Sequence, residues 1–500
     1  MKEEDTLKEL KKLMFKIEGI KILIFFSLAS CQVLKPNTYL LKTNQEKASK
    51  YSKYIKAAEL KKHLTILASD DFEGRETTTK GQKKAANYIK NHFFNNHISP
   101  AIDSSYFQEF TVDVFDFSNV ELIANDTKLL FLKHYYSFGN PITTQVNKAF
   151  AIEAGYGISN KFQNDYNNLN ATDRIVVLKR GIPDQKNYKA SDGNWRKKVL
   201  LAKKEGAVAV IFKEPNYSNT DLRIKEYIRN PIMKMHGNQA SKPHLPVFIV
   251  DEKIVDSILK LNTPISFSTK IKQPKTAENV IGYIPGKTDE LIVLSAHYDH
   301  IGYDNGEICN GADDDGSGTS ALLEISKSFQ KAFNNGNKPQ RALLFLMVSG
   351  EEKGLFGSKF YTDNPIFPLS KTTTNLNIDM VGRKDTIHKN SNYIYLIGSN
   401  RISKELHKIS EQINNQHIQF NLDYTYNDQN DPNRFYERSD HYNFAKNGIP
   451  VIFYFGGLHE DYHQPTDDVD KIDFNKLEKV SQYVFLTAWE LAYRKKAVKK

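Results

Sequence analysis

Two adjacent glutamates stand between glycines directly after a strongly apolar run of the chain. Residues 349–358 read SGEEKGLFGS and follow ALLFLMV, a run typical of a buried strand. Neighbouring side chains of an extended chain point in opposite directions, so Glu351 and Glu352 reach one partner in the same way only if the backbone turns. Glycines at 350, 354 and 357 permit such a turn. An isolated pair of this kind is usually a solvated acidic loop, so the rest of the chain must carry the functional interpretation.

Histidine and further carboxylates follow other apolar runs. The run ELIVLSAHYDH contains His297 and Asp299, which share one face of a strand, and a carboxylate so placed can orient a metal-binding imidazole. The stretch NGADDDGSG, residues 310–318, then places three aspartates between glycines before a helical pattern. One aspartate is enough to cap a helix, whereas three crowded carboxylates raise one another's pKa unless a cation compensates.

The remaining candidates lie further along the chain. Asp379 stands near the end of the apolar run TTNLNIDMVG, where an unpaired carboxylate is costly. His459 and His463 follow GIPVIFYFGG in the stretch HEDYHQPTDD. Together with the earlier motifs, they supply imidazole and carboxylate groups at successive strand ends, without cysteine. This mixture suits zinc or a similar divalent ion, and two ions sharing one carboxylate is one possible arrangement.

The pattern of strands and helices predicts where these residues meet. After residue 276, apolar runs of strand length alternate with helical stretches such as SGTSALLEISKSFQKAF and RISKELHKISEQI. Such a pattern predicts an α/β fold with a mostly parallel, mixed sheet flanked by helices. Sites in these sheets form just past the carboxyl ends of the strands, and each apolar run here ends in polar or Gly-rich sequence.

The length of 500 residues favours two domains, or one domain with a large insertion. The segment AAELKKHLTILASDDFEGRETTTKGQKKAANYIKNHFF predicts two amphipathic helices around a polar turn. Strand patterns and one helix, NWRKKVLLAKKEGA, then alternate with long polar connections. We therefore predict a main domain of residues 55–119 and 276–495, interrupted by a β-rich insertion at 120–275.

The N-terminus predicts export from a bacterial cell. The apolar run in KILIFFSLASCQ is too short for a permanent membrane span, and lysines at 8, 11, 12, 16 and 21 precede or begin it. LASC resembles a lipobox, so residues 1–31 are interpreted as a lipoprotein signal peptide that starts at Met1 or Met14, with lipidation at Cys31. Residues 32–54 form a linker. The expected location is the cell envelope, lipid-anchored in the periplasm or at the cell surface, with secretion as the alternative.

Charge and cysteine content exclude other classes. The formal net charge is +10, but the lysines are scattered among acidic residues and form no basic stripe interleaved with aromatics. Nucleic acid is therefore not an expected partner. Beyond Cys31 the chain has only Cys309, so the body of the protein has no intramolecular disulfide.

Five motifs resemble, in order, the dizinc exopeptidases that include bacterial leucyl aminopeptidases and aminopeptidase Y: AHYDH, NGADDDGSGTSALLE, SGEEKGLFGS, NIDMVG and DYHQPTDD. Glutamate carboxypeptidase II and the glutaminyl cyclases are more distant relatives. LASDDFEGRETTTKGQKKAANYI resembles the family's N-terminal segment, with TTT in place of the common TGS. The insertion resembles a protease-associated domain, and the resemblance spans roughly residues 57–492.

The resemblance implies a pair of zinc ions. It places His297 and Asp379 on one ion, Glu352 and His463 on the other, and Asp314 between the two. Asp313 and Asp315 then have structural or capping roles.

The resemblance also implies three catalytic residues. Glu351 is the general base toward a metal-bound water, Asp299 is the carboxylate behind His297, and Tyr462 stabilises the oxyanion. Asp440 is a further candidate for a position behind the ligands. His300 and His459 match residues of relatives, but the resemblance gives them no role.

A zinc-dependent exopeptidase acting on peptides is the implied function, and an aminopeptidase is favoured. A carboxypeptidase or dipeptidase on the same site stays open. So does a cyclase-like enzyme with a single zinc. The transferrin receptor, a non-enzymatic relative, has lost the metal site, whereas all five ligand positions and Glu351 are present here. The sequence does not indicate side-chain specificity, the role of the insertion or the oligomeric state.

Overall fold

The computed structural model describes residues 41–138, 143–184, 188–219, 224, 228, 231–237, 245–270 and 274–500. The predicted signal peptide, with Cys31, lies outside these residues. The chain divides into two compact units. Unit 1 combines the described residues up to Gln108 with Asn279–Lys500, and unit 2 spans Glu109–Glu278.

The helices include those predicted on either side of the FEGR turn and between the later strands. Their bounds are α1 Gln45–Ser52, α2 Ala57–Leu67, α3 Lys80–Asn95, α4 Trp195–Lys204, α5 Glu252–Lys260, α6 Gly318–Asn334, α7 Phe356–Asp363, α8 Lys404–Ile413, α9 His441–Ala445 and α10 Phe474–Tyr493. Within the described part of the chain, no helix is both long enough and apolar enough to cross a membrane.

The apolar runs ELIVLSAHYDH, ALLFLMV, TTNLNIDMVG and GIPVIFYFGG form strands, as predicted, and other strands lie outside such runs. Their bounds are β1 Ser99–Pro100, β2 Phe107–Phe115, β3 Val120–Ala124, β4 Thr127–Lys128, β5 Tyr135–Ser137, β6 Thr144–Glu153, β7 Ile175–Lys179, β8 Ala209–Glu214, β9 Ile232–Met235, β10 Val247–Asp251, β11 Pro264–Thr269, β12 Lys275–Ile284, β13 Leu291–His297, β14 Gly302–Asp304, β15 Glu307–Cys309, β16 Ala342–Val348, β17 Thr372–Asp379, β18 Tyr393–Ile397, β19 Asn421–Asp423 and β20 Val451–Phe455.

The sheet of unit 1 is mixed, with a parallel centre. Its strands follow the order β19-β18-β20-β17-β13-β16-β12. Strand β13 runs parallel to β16 and β17, and β17 runs parallel to β20. Antiparallel pairs lie towards the sides of the sheet and include β1 with β12, β12 with β16, and β18 with β20. This arrangement confirms the predicted α/β class.

Side chains of both faces of this sheet are buried, which explains why its strands are apolar throughout. Along β16, Leu343, Phe345 and Met347 belong to the core that contains residues of α2, α3, α6 and α10. The alternate residues Leu344, Leu346 and Val348 belong to a second core, with Tyr361 of α7 and Phe444 of α9. Helices therefore cover both faces, as expected for a parallel-centred sheet.

Unit 2 is rich in β-structure. Its larger sheet follows the order β4-β3-β11-β6-β7-β8-β10-β5, in which β6, β7, β8 and β10 are parallel neighbours. The unit begins at Glu109 and ends at Glu278, whereas the change in sequence pattern predicted 120–275. Strand β2 pairs with β9 from Val112 and Met235 to Phe115 and Ile232, so most of β2 belongs with unit 2.

Replacing Phe329 with Ala should lower the free energy of unfolding by about 3–5 kcal/mol, because a buried aromatic ring is lost and a cavity remains. Phe329 is 1% exposed on α6, and its ring centroid lies 4.3 Å from that of Phe485. Urea denaturation followed by circular dichroism measures the change. Phe94→Ala on α3 is the matched control, because Phe94 is 66% exposed and should cost little. Equal losses in the two variants would contradict the packing described here.

Candidate active site

The sequence-predicted site residues lie at one edge of the sheet of unit 1. His297 is the last residue of β13, and Asp379 is the last residue of β17. Glu351 and Glu352 follow the end of β16, and His463 follows β20. Because these four strands are parallel to one another, their carboxyl ends meet at the same edge.

A first set of donors surrounds the His297 side chain, which is 1% exposed. Its Nε2 atom lies 3.2 Å from Asp314 Oδ1 and 3.6 Å from Asp379 Oδ1. The other Asp379 oxygen accepts a hydrogen bond from Ser439 Oγ at 2.6 Å. Burial would lower the pKa of His297, but the negative charges of Asp379 and Glu351 outweigh burial and raise the pKa well above its usual range.

A second set of donors surrounds Glu352 and His463. The Nε2 atom of His463 lies 3.0 Å from Glu352 Oε2 and 3.2 Å from Asp314 Oδ2. On the other side, His300 Nδ1 lies 2.8 Å from Glu352 Oε1 and 3.7 Å from Asp314 Oδ2. Burial and the charge of Asp314 would raise the pKa of Glu352, but the two imidazoles lower it to about 2.

Asp314 belongs to both sets, because one of its oxygens is directed at each. Its Oδ1 atom lies near His297 and its Oδ2 atom near His463. The peptide bond between Asp314 and Asp315 is cis. By distance alone, Asp315 is also a candidate partner of His297 and Asp379, because one possible ligand atom from each residue lies within 4.8 Å of the others. The geometry nevertheless favours Asp314 over Asp315 as the carboxylate that faces both donor sets, because the oxygens of Asp315 already accept backbone hydrogen bonds.

Backbone N–H groups account for the two aspartates that flank Asp314. Asp315 accepts from Gly318 N at 2.9 Å, from Met380 N at 3.1 Å and from His297 N at 3.3 Å. Asp313 accepts from Gly382 N at 2.6 Å. These two carboxylates therefore fix the loop, in agreement with their expected structural roles.

The donor set fits zinc. Nitrogen and oxygen donors converge without a thiolate, and histidine with carboxylate is a usual zinc ligand set. His463 Nε2 is buried and forms no hydrogen bond of acceptable geometry within the described residues, although two carboxylate oxygens lie within 3.2 Å. Close donors without hydrogen-bond geometry are the arrangement expected around a cation.

The turn predicted at the two glutamates is present. The backbone of Gly350 has a φ of 79°, a conformation that glycine adopts without strain, and α7 begins at Phe356. Glu351 lines a pocket together with His297 and Asp379, whereas Glu352 faces His300 and His463. Burial raises the pKa of Glu351 well above its usual range, and neighbouring carboxylates add to the effect. The adjacent side chains thus have different partners.

Asp299 connects the loop after β13 with the loop after β16. Its Oδ1 atom accepts a hydrogen bond from Glu351 N at 3.3 Å, and its Oδ2 atom accepts one from Thr77 Oγ1 at 2.9 Å. Its carboxylate is 3.8 Å from His297 Nδ1, whereas its backbone carbonyl is 3.1 Å from the same nitrogen. In this structure the backbone carbonyl of Asp299 is therefore nearer to the imidazole than its carboxylate.

Tyr462 lies on the wall of the pocket that Glu351 also lines. Its ring stacks on the ring of His463 with a centroid distance of 3.9 Å. Large apolar side chains form much of the remaining wall: Met380, Phe435, Phe453, Phe455 and Leu458. Arg438 also lines the pocket. The pocket thus joins an acidic donor set to an apolar wall.

Two residues to which the sequence analysis gave no role, Asp467 and His459, contact the aspartate loop of the site. Asp467 accepts hydrogen bonds from the backbone N–H groups of Asp313 and Asp314. His459 Nε2 lies 3.2 Å from Asp313 Oδ2. Burial raises the pKa of Asp440 to about 7. The sequence signal for Asp467 was its place in the motif DYHQPTDD, beside His463.

Residues 279–488 match Peptidase family M28. Aminopeptidase YwaD of Bacillus subtilis (strain 168) is 25% identical over 365 residues, which cover 69% of this chain and 67% of that protein. Aminopeptidase Y of Saccharomyces cerevisiae is 27% identical over 292 residues, 56% of this chain and 50% of that protein. The structure of a zinc aminopeptidase from Bacillus subtilis has a TM-score of 0.52 at 20% identity, covering 89% of this chain and 98% of that chain.

The matched region contains β13, β16, β17 and β20, and with them all the donors that converge on Asp314. The solved structure shares the fold of this chain. Both relatives are named aminopeptidases, the class that the resemblance implied. These comparisons show that residues 279–488 are similar to the peptidases of family M28.

Proposed function

We propose that this protein is a zinc aminopeptidase that hydrolyses the N-terminal residue of peptides and holds two zinc ions. The observation that carries the proposal is the position of Asp314. One of its oxygens lies 3.2 Å from His297 Nε2, and the other lies 3.2 Å from His463 Nε2. A carboxylate placed between two imidazoles in this way can serve two cations at once.

The assignment of ligands combines the two donor sets with the family resemblance, which selects His463 although His300 also lies 2.8 Å from Glu352. His297 and Asp379 would hold one ion, Glu352 and His463 would hold the other, and Asp314 would serve both. When bound, zinc polarises the substrate carbonyl and lowers the pKa of a water molecule towards neutrality. The names of the relatives and of the solved zinc aminopeptidase support this choice of metal and reaction.

Glu351 is the proposed general base. Its carboxylate accepts a proton from the attacking water and then donates a proton to the leaving amine. A base of this kind works best when its pKa lies near the working pH, and burial shifts the pKa of Glu351 in that direction. Tyr462, on the same pocket wall, is proposed to donate a hydrogen bond to the developing oxyanion.

The proposed aminopeptidase specificity depends on charge. Glu351 and Asp379 line the pocket, and a carboxylate attracts an α-ammonium group through charge-assisted hydrogen bonds. The apolar wall, which includes Phe435 and Phe453, provides space for the side chain of the first residue. Unit 2 is proposed to be a protease-associated domain because of its β-rich composition and its position as an insertion.

Replacing Glu351 with Gln should leave zinc bound but reduce kcat by roughly 10²- to 10⁴-fold, because the base acts on the proton in the transition state. The matched control is Glu352→Gln, one residue away. It should lose zinc, because its carboxylate is a proposed ligand. Elemental analysis and steady-state kinetics of both variants measure the two effects. Near wild-type turnover in Glu351→Gln, or full zinc content in Glu352→Gln, would contradict the assignment of that residue.

The reaction class can be tested with the two ends of the substrate. Aminoacyl substrates with a free amine should be cleaved, acetylation of the amine should abolish cleavage, and amidation of the far carboxylate should have little effect. The measurement is the rate of release of the first residue from matched peptides. Arg438 offers the pocket a cation for a substrate carboxylate. Cleavage of peptides with an acetylated amine that stops when the C-terminal carboxylate is amidated would contradict the proposal. It would indicate a carboxypeptidase, in which Arg438 could bind that carboxylate.

We also propose that Cys31 is lipidated and anchors the protein in the cell envelope. The proposal rests on LASC and the lysine-rich segment before it. Cys31→Ser should move the protein from the membrane pellet to the soluble fraction, because the acyl chains supply the anchor. Cys309→Ser is the matched control and should stay in the pellet, because Cys309 is buried within unit 1. A wild-type protein found in the soluble fraction would favour secretion.

A further inference from the structure

Arg75 is a fully buried cation whose guanidinium binds only backbone carbonyls. It is 0% exposed. Its Nε atom donates to Tyr298 O at 2.8 Å, and its Nη2 atom donates to Gly311 O at 2.9 Å. Its Nη1 atom donates to Leu67 O at 2.7 Å and to Asn310 O at 2.6 Å. Among the described residues, no carboxylate lies within ion-pair distance of this guanidinium.

The carbonyls that Arg75 binds belong to the two loops that carry proposed ligands. Tyr298 stands directly after His297, and Asn310 and Gly311 directly precede the aspartate loop that contains Asp314. The guanidinium therefore connects both loops from behind and also ties them to the end of α2 at Leu67. The negative charges of Asp314 and Asp299 stabilise its positive charge and oppose the lowering of its pKa by burial.

The two residues that follow Arg75 reach further parts of the same site. Thr77 Oγ1 donates a hydrogen bond to Asp299 Oδ2 at 2.9 Å, and Asp299 in turn accepts from Glu351 N. Glu76 Oε1 lies 2.9 Å from Lys353 Nζ, which follows the two glutamates. We call Arg75–Thr77 the clamp segment, because it contacts the loops after β13 and β16 and the aspartate loop before α6.

Gly74 allows the clamp segment to approach so closely. Its φ is 62°, and an added Cβ would lie 2.3 Å from Gly302 O and 2.4 Å from Cys309 O. Those distances are too short for any side chain, so the backbone here lies directly against β14 and β15. The motif FEGRETTT therefore encodes a close approach at Gly74, a cation at Arg75 and a hydroxyl donor at Thr77.

Arginine suits this position for a geometric reason. Its planar guanidinium spreads five N–H donors over a rigid fork, whereas the three donors of lysine radiate from one nitrogen. The carbonyls at Leu67, Tyr298, Asn310 and Gly311 surround the fork from different chain segments. A lysine could keep the positive charge but could not hold these segments at their present spacing.

From these contacts we infer that the clamp segment positions the zinc ligands, with Arg75 fixing the distance between His297 and Asp314 and Thr77 fixing Asp299. The inference rests on the proposed ligand set. It adds a residue group that touches no substrate and acts through the loops. Replacement of groups that support metal ligands typically weakens metal affinity about 10- to 100-fold.

The test compares two buried arginines. Arg75→Lys should bind zinc about 10- to 100-fold more weakly than the wild type, measured by competition with a chromophoric chelator. It should also alter the visible absorption spectrum of the Co²⁺-substituted protein. The matched control is Arg341→Lys. Arg341 is 1% exposed and donates to the backbone carbonyls of Leu491 and Arg494, and it also pairs with Glu290 Oε2 at 2.9 Å. It directly precedes β16, at the opposite end from the site.

Arg341→Lys should lower the melting temperature but leave zinc affinity and the Co²⁺ spectrum unchanged. Wild-type zinc affinity in Arg75→Lys, or an equal loss of affinity in Arg341→Lys, would overturn the inference. A wild-type protein that binds no zinc would instead overturn the proposed function, so the two failures are distinguishable.

A second variant covers the case in which Arg75→Lys does not fold. Thr77→Val removes one hydroxyl with little change of shape and should also weaken zinc binding and alter the Co²⁺ spectrum. Its control is Thr372→Val at the start of β17, where the buried hydroxyl has no hydrogen-bond partner among the described residues. If Thr77→Val and Thr372→Val both retain wild-type zinc affinity, the clamp segment does not position the ligands.

Discussion

Negative charge concentrated in a buried space is the constraint on which this site depends. Around the ends of β13, β16, β17 and β20 the structure buries a group of aspartates: Asp299, Asp313, Asp314, Asp315, Asp379, Asp440 and Asp467. Glu351 and Glu352 add to them. A buried carboxylate is costly unless hydrogen bonds or cations compensate for lost water. Each of these groups therefore needs an identifiable partner, and the partners define the architecture.

Different partners give these carboxylates different functions. Asp313, Asp315 and Asp467 accept backbone N–H groups, and these bonds hold the aspartate loop in place. Asp314 and Glu352 face imidazoles and keep oxygens directed into the site. Burial raises the pKa of Asp440 to about 7, although the charge of His297 and a hydrogen bond with Ser358 oppose the shift. The distinction between structural and reactive acids thus comes from the donors around each one, since all of these side chains are carboxylic acids.

The sequence could predict the family, the fold and the meeting of the candidate residues, because these follow from apolar strands that end in ionisable groups. Asp379 at a strand end and the ordered motifs are local signals. The role of Arg75 has no such local signal. Its guanidinium binds backbone carbonyls, which every residue type has, so no partner residue can be recognised in the sequence. The division at Glu109 reflects the pairing of β2 with β9, far along the chain, which a change in local sequence pattern does not reveal. For Asp299, sequence spacing alone could not show that its backbone carbonyl, and not its carboxylate, lies nearer to the His297 imidazole.

Unit 1 is discontinuous in the chain, and this has a consequence for the order of folding. The helices α2 and α3 and the arginine behind the site precede Glu109, whereas every proposed zinc ligand follows Glu278. During synthesis, all of unit 2 emerges before any of those ligands exists, and domains generally fold as units in the order of synthesis. The apolar faces of α2 and α3 must therefore remain without their partners on the sheet while unit 2 is completed. Contacts between residues so distant in sequence slow folding, so assembly of the acidic site is a late event in the life of the nascent chain.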